Sequence, residues 1–161
     1  MSKVKTAILD TLTQRVQQEL QAASLIALET SAGAKDESMK AESKYDTRGI
    51  EAGQLAGAQL RRVEELKLEL QMLEEMPRRD FKKNDEVALG ALVELRHKNQ
   101  TRRYFLCSTA GGTLLESEGQ AVLVISVFSP LGDAALGQKC GETFELETPT
   151  EKREYEVIGV A

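Results

Sequence analysis

The chain has 161 residues, of which 41% are hydrophobic and 29% charged, and its formal net charge is −5. That composition excludes a disordered chain, and the negative balance excludes a protein that coats nucleic acid by bulk electrostatics. Two cysteines, Cys107 and Cys140, are too few for a disulfide scaffold and read as reduced thiols; with no apolar leader and no apolar run of about 20 residues, the expected location is the cytoplasm, away from any membrane.

The first predicted element is a helix from about Lys3 to Thr30. Val4, Ile8, Leu12, Val16 and Leu20 recur at four-residue steps, and Ala23 and Ala27 continue the stripe. A second helix is predicted from Ser43 to Glu75, with Leu55 or Ala56, then Leu60, Val63, Leu66, Leu70 and Leu73, on one face. Between them, Ser31 to Lys40 reads as a loop of small and polar residues. Pairing Val4 with Leu70, Ile8 with Leu66, Leu12 with Val63 and Leu20 with Leu55 gives residue-number sums of 74 to 75, the mark of an antiparallel hairpin with its apex near residue 37. At about 1.5 Å per residue each arm is about 40 Å long. Gly49, Gly53 and Gly57 stand four apart near the far end, a spacing that suggests close backbone approach and a thin rod. A monomer is expected, because pairing within the hairpin uses up both apolar stripes.

Asp36 and Glu37 fall at the calculated apex, with Glu42 and Asp46 following, so the tip loop near 31–44 is acidic. Carboxylates gathered there suit a hard cation such as Mg²⁺. The interleaved Lys35, Lys40 and Lys44 fit equally well with a solvated, charge-mixed loop. No Ser/His/Asp arrangement, phosphate-binding glycine loop or His/Cys cluster is present, so no catalytic group and no metal site of its own is expected.

Pro77 ends the helical half. The predicted division is a hairpin over 1–76, a linker over 77–84 made basic by Arg78, Arg79, Lys82 and Lys83, and a second domain over 85–161. That domain reads as five strands: Val87–Leu95, Tyr104–Cys107, a central Val122–Val127, Gly141–Leu146 and Glu154–Val160. Arg96 to Arg103 reads as a polar turn, with His97 exposed in it and Arg96, Lys98, Arg102 and Arg103 offering either a partner contact or a solvated surface. Ser129 is a good N-cap and Pro130 suits the first turn of a short helix ending before Gly137. The fold class is α+β.

The run Ile125-Ser-Val-Phe-Ser-Pro-Leu-Gly-Asp-Ala-Ala-Leu-Gly-Gln-Lys-Cys-Gly-Glu-Thr-Phe-Glu-Leu146, followed by Tyr155-Glu-Val-Ile158, resembles the GreA/GreB family of bacterial transcript-cleavage factors. The hairpin with an acidic tip extends the resemblance over almost the whole chain. It implies an antiparallel coiled coil followed by an FKBP-like sheet domain with one short helix. It further implies docking of that domain on RNA polymerase, here through Ser129, Pro130 and Leu131, and insertion of the coiled coil into the secondary channel. Transcript RNA and DNA would be met only indirectly. Tip acids, here Asp36, Glu37 and Glu42, would help the polymerase hold Mg²⁺ and hydrolyse a backtracked transcript, so the protein would be a cofactor to another enzyme. The tip departs from the family's Asp-Leu-Lys-Glu-Asn-Ala-Glu-Tyr: aligned on Tyr45, the two acids fall at Ser38 and Ala41. The alternative is therefore a channel-binding regulator without cleavage. A prolyl isomerase or chaperone is disfavoured, since aromatic residues are 4% and tryptophan is absent.

Overall fold

A computed structural model describes residues 2–40 and 48–161. The chain forms α1 (Lys3–Lys40), α2 (Arg48–Glu74), β1 (Leu92–His97), β2 (Gln100–Cys107), β3 (Leu114–Ser117), β4 (Gln120–Ser126), α3 (Pro130–Ala135), β5 (Thr143–Glu147) and β6 (Lys152–Val160). It folds as two compact units, one comprising residues 1–12 and 72–161, the other residues 13–71. Leu9, Leu12, Leu73 and Met76 are buried, and the Met76 sulfur lies 3.9 Å from that of Cys107 and accepts from the Ser108 hydroxyl at 3.5 Å, so the helix ends share the sheet's core.

The 13–71 unit is an antiparallel helix pair. Its buried apolar residues are Val16, Ala23 and Ala27 on α1 and Ala56, Val63 and Leu66 on α2. Leu55 and Leu60, expected in the stripe, are 56% and 52% exposed. The Glu19 and Arg62 side chains meet across the pair at 3.2 Å. Their numbers sum to 81, about seven more than the predicted pairing sums. Seven residues is one heptad, and a slide of one heptad returns the same stripe to the same face, so periodicity alone cannot choose between the two registers.

The loop predicted over Ser31–Lys40 is helical instead, because α1 runs through Lys40. Ala34, Lys35, Glu37, Met39 and Lys40 all have good helix propensity, which offsets the roughly 1 kcal/mol cost of Gly33. The predicted close approach is corrected at Gly53 and Gly57. A Cβ on Gly53 would meet nothing within 4 Å, and one on Gly57 only the Arg61 guanidinium at 3.7 Å. The small residues that are buried in this unit are the alanines.

The second unit is built on one six-stranded sheet in the order β3-β4-β2-β1-β6-β5. Only β2 and β4 pair in parallel. The extra strand is β3, which joins β4 through Glu118-Gly119, both at positive φ (54° and 71°). The broad polar turn expected over 96–103 is a two-residue turn, Lys98-Asn99, with φ of 47° and 62°, so Arg96 and Arg102 lie in paired strands. One face carries Val93, Leu95, Tyr104, Leu106, Ile125 and Val157, packed with Ala135 of α3. Phe105, Cys107, Val122 and Val124 alternate to the opposite face and are also fully buried. Both faces are thus covered, which is why Tyr104 to Cys107 is apolar at every position.

The 77–84 segment is anchored to this unit. Phe81 is buried, with the Arg79 guanidinium 4.2 Å from its ring centroid. Lys5 is 1% exposed; its Nζ donates to the Arg79 carbonyl at 2.7 Å and sits 4.6 Å from the Phe81 centroid. Burial pulls the Lys5 ammonium below its ordinary value, and Asp80 nearby partly restores it.

Candidate functional site

The segment between β4 and α3 is locked by short-range hydrogen bonds. The Val127 N–H donates to the Cys107 carbonyl (2.9 Å), the Phe128 N–H to Ser126 Oγ (3.1 Å) and the Ser129 N–H to the Ser126 carbonyl (3.0 Å). Ser129 caps α3 as predicted: its Oγ accepts from the Gly132 N–H at 3.1 Å and donates to the Ser126 carbonyl at 2.7 Å. Gly132 is required here, because a Cβ would stand 2.0 Å from the Ser126 oxygen.

Of the predicted docking residues, Ser129 spends its hydroxyl inside the cap, Leu131 is half-buried against the core, and Pro130 is exposed at the start of α3. The residue that the loop presents is their neighbour, Phe128. Phe81, Phe105 and Phe144 are 9%, 0% and 9% exposed, whereas Phe128 is 80% exposed. A rigid backbone holding a bare aromatic ring costs little entropy on association, so this is the form expected of a contact anchor. The available sequence signal was a phenylalanine wedged between a strand end and a helix cap, where no core position exists for it.

Beside the loop, on the face that carries α3, a cleft of about 480 Å³ opens where the helix stops covering the sheet. Its floor includes Tyr104, Tyr155, Leu95 and Leu123, and Leu131 forms a wall. Arg102, Arg153 and His97 line its polar part. His97 is not exposed in a turn. It is half-buried in β1, with its ring 5.1 Å from that of Tyr155 and Nδ1 2.9 Å from the Glu154 carbonyl. Among the basic residues of this region, Arg96 pairs with Glu156, Lys98 with Glu151 (3.1 Å), and Arg103 with Gln120 (2.9 Å) and Glu94 (3.8 Å). Arg102 is the least compensated, with the Gln100 side-chain oxygen at 3.5 Å. Burial pushes Tyr104 above its ordinary pKa, the neighbouring Tyr155 adds to the rise, and Arg102 partly offsets it.

At the far end of the helix pair, Asp36 and Glu37 occupy consecutive positions of α1, about 100° apart around the helix axis. Their side chains, and all of Glu42, lie outside the described residues. Among the described residues no group of three His, Cys, Asp or Glu could hold a metal ion, and no helix is long and apolar enough to cross a membrane. Cys107 is buried, and Cys140 Sγ donates to the Ile158 carbonyl at 3.0 Å.

Comparison with known proteins places this architecture. Residues 82–161 match the family described as "Transcription elongation factor, GreA/GreB, C-term". The chain is 30% identical over 130 residues to the transcription inhibitor protein Gfh1 of Thermus aquaticus, covering 77% of this chain and 76% of the relative. It is 28% identical over 130 residues to the Gfh1 of a Thermus thermophilus strain, with 77% of each covered. Among solved structures, the crystal structure of Thermus aquaticus Gfh1 covers 99% of this chain at 25% identity and a TM-score of 0.41, with 96% of that chain covered. A GreA/GreB factor from Nitrosomonas europaea covers 62% of this chain and 78% of its own at 20% identity and a TM-score of 0.38. The helix pair, the mixed sheet with its single short capped helix, the family match and the identity to Gfh1 together lead to one assignment: the chain belongs to the GreA/GreB family of transcription elongation factors.

Proposed function

We propose that this protein binds RNA polymerase as a transcription regulator, docking through the sheet unit and placing the helix pair in the secondary channel. The observation that carries the docking is Phe128, a bare aromatic ring on the rigid β4–α3 segment within the stretch most like the family. Truncating such an anchor typically costs about 2 kcal/mol or more of binding energy, roughly 30-fold in affinity.

The reading at the tip is occupancy of the channel without transcript cleavage. Mg²⁺ at the polymerase centre supplies Lewis-acid and water-activating chemistry. The positions from which this family would contribute carboxylates are Ser38 and Ala41, which have none. The donor set does not fit, and the similarity to proteins named transcription inhibitors supports the same reading. The protein supplies no catalytic group; its effect is exclusion from the channel.

The test is a pair of assays with the full chain. Capture of polymerase should weaken at least tenfold for Phe128→Ala, with an unchanged circular dichroism spectrum. Nucleotide addition should slow when the protein is present, and RNA in backtracked complexes should not shorten. Shortening that is lost on replacing Asp36 and Glu37 with alanine would restore the cleavage reading. Failure of the full chain to bind polymerase at low salt would remove the proposal.

A further inference from the structure

The cleft next to Phe128 has a specific chemistry. Its apolar part, Leu95, Leu123 and Leu131, adjoins two guanidinium groups, Arg102 and Arg153. The Arg153 Nε donates to Glu151 at 2.7 Å, and that carboxylate also accepts from Lys98 at 3.1 Å. The charged residues lining the cleft are Arg102, Arg153 and Glu151, so the rim keeps an excess of positive charge on a chain whose net charge is −5. The Arg153 side chain is 41% exposed, so its free N–H groups can be reached. Tyr104 and Tyr155 line the same cleft as the two arginines, and their hydroxyls are further donors there.

We propose that this cleft receives an acidic peptide segment of the polymerase, with a carboxylate held by Arg102 and Arg153 and the adjoining aliphatic side chain seated on Leu123 and Leu131. The inference rests on the docking reading above and names the partner chemistry at that surface. Planar guanidinium groups match a carboxylate in a two-point contact, and an acidic peptide, unlike nucleic acid, brings a carboxylate and an aliphatic group together on one short segment. Nucleic acid fits less well. Bases bind by stacking on exposed aromatic faces, whereas Tyr104 and Tyr155 are both 6% exposed and Tyr155 already packs between His97 and Phe144 at ring distances of 5.1 and 5.5 Å. Leu131 lines the cleft and is separated from Phe128 in the chain only by Ser129 and Pro130.

The experiment uses the full chain and two arms. In the first, a fluorescein-labelled peptide Asp-Leu-Glu-Glu-Leu-Asp is titrated beside its amide counterpart Asn-Leu-Gln-Gln-Leu-Asn. The acidic peptide should bind at least tenfold more tightly. Arg102→Gln combined with Arg153→Gln should remove that preference, Tyr104→Phe should reduce it severalfold, and a thymidine oligonucleotide should not displace the peptide. In the second arm, the double arginine variant should weaken polymerase capture at least fivefold. Equal binding of the two peptides, full binding by the double variant, or displacement by the oligonucleotide at equal concentration would overturn the carboxylate assignment. Normal polymerase capture by the double variant would overturn the assignment to polymerase. If the parent chain captures no polymerase, the docking reading fails, and the peptide arm still decides the chemistry of the cleft.

Discussion

The two units of this chain are held together in different ways. The sheet unit buries Val93, Phe105, Leu106, Val122 and Val124 completely, large side chains on both faces of one sheet. Among the described residues, the helix pair over 13–71 buries Val16, Val63 and Leu66, with Ala23, Ala27 and Ala56 toward its far end, and it leaves Leu25, Leu28, Leu55, Leu60 and Leu68 exposed. Buried apolar area is what offsets chain entropy, so the first unit has a deep reserve of stability and the second a shallow one.

The largest effect that would test this contrast is in the sheet. Phe105→Ala should cost about 3–5 kcal/mol and lower the urea midpoint of the sheet unit. A smaller loss would mean that the sheet relaxes around the cavity and that its packing is looser than described. On the helix pair, Leu66→Ala should cost about 2 kcal/mol, the low end for a leucine, because fewer large neighbours surround it. Hydrogen exchange should show α2 amides near Ala56 opening well before those of β1 and β2; similar protection in both would erase the contrast.

Gly53→Ala sharpens the corrected view of the arm. With open space at the Cβ position, alanine should stabilise the helix pair by about 1 kcal/mol, seen as a raised helical melting temperature. Destabilisation would instead mean that the helices approach closely there. Arg62→Gln removes the Glu19 pair, whose side chains are 48% and 61% exposed, and should cost about 0.5 kcal/mol or less and vanish in high salt.

The last test lies at the base of the helices. The folded-state pKa of Lys5 is below its unfolded value of 10.5, so the unfolded chain holds that proton more strongly. The penalty for burying the ammonium is present in full below the lowered folded pKa and is relieved as pH rises from there toward 10.5, so stability contributed through this group rises with pH across that window. Lys5→Met should flatten the change in urea midpoint between neutral and alkaline pH. An unchanged slope would show that Lys5 titrates as an ordinary exposed lysine.

How much of this was legible beforehand follows from how local each signal is. The short helix was readable because Ser129, Pro130 and Gly137 act within a few residues of themselves, through a side-chain cap, a preset φ and a left-handed stop at φ 79°. Likewise, two long amphipathic stretches implied a hairpin, and β-branched runs between glycines implied strands. β3 was missed because Leu114-Leu-Glu-Ser117 is short and has no strong alternation; its pairing with β4 makes it a strand. His97 was read as exposed because its neighbours Arg96 and Lys98 are charged, yet strand alternation turns it toward Tyr155.

By itself, then, the amino-acid order determined which segments are helical or extended, the character of both halves, and the family to which the chain belongs. Tertiary structure alone decided the helical state of residues 31–40, the exposure of Phe128 and the sharing of one cleft by Arg102 and Arg153. Caps and periodicities are written in adjacent residues, whereas register and exposure depend on which distant surface covers a given face. A stripe that repeats every seven residues carries no mark of which repeat meets which.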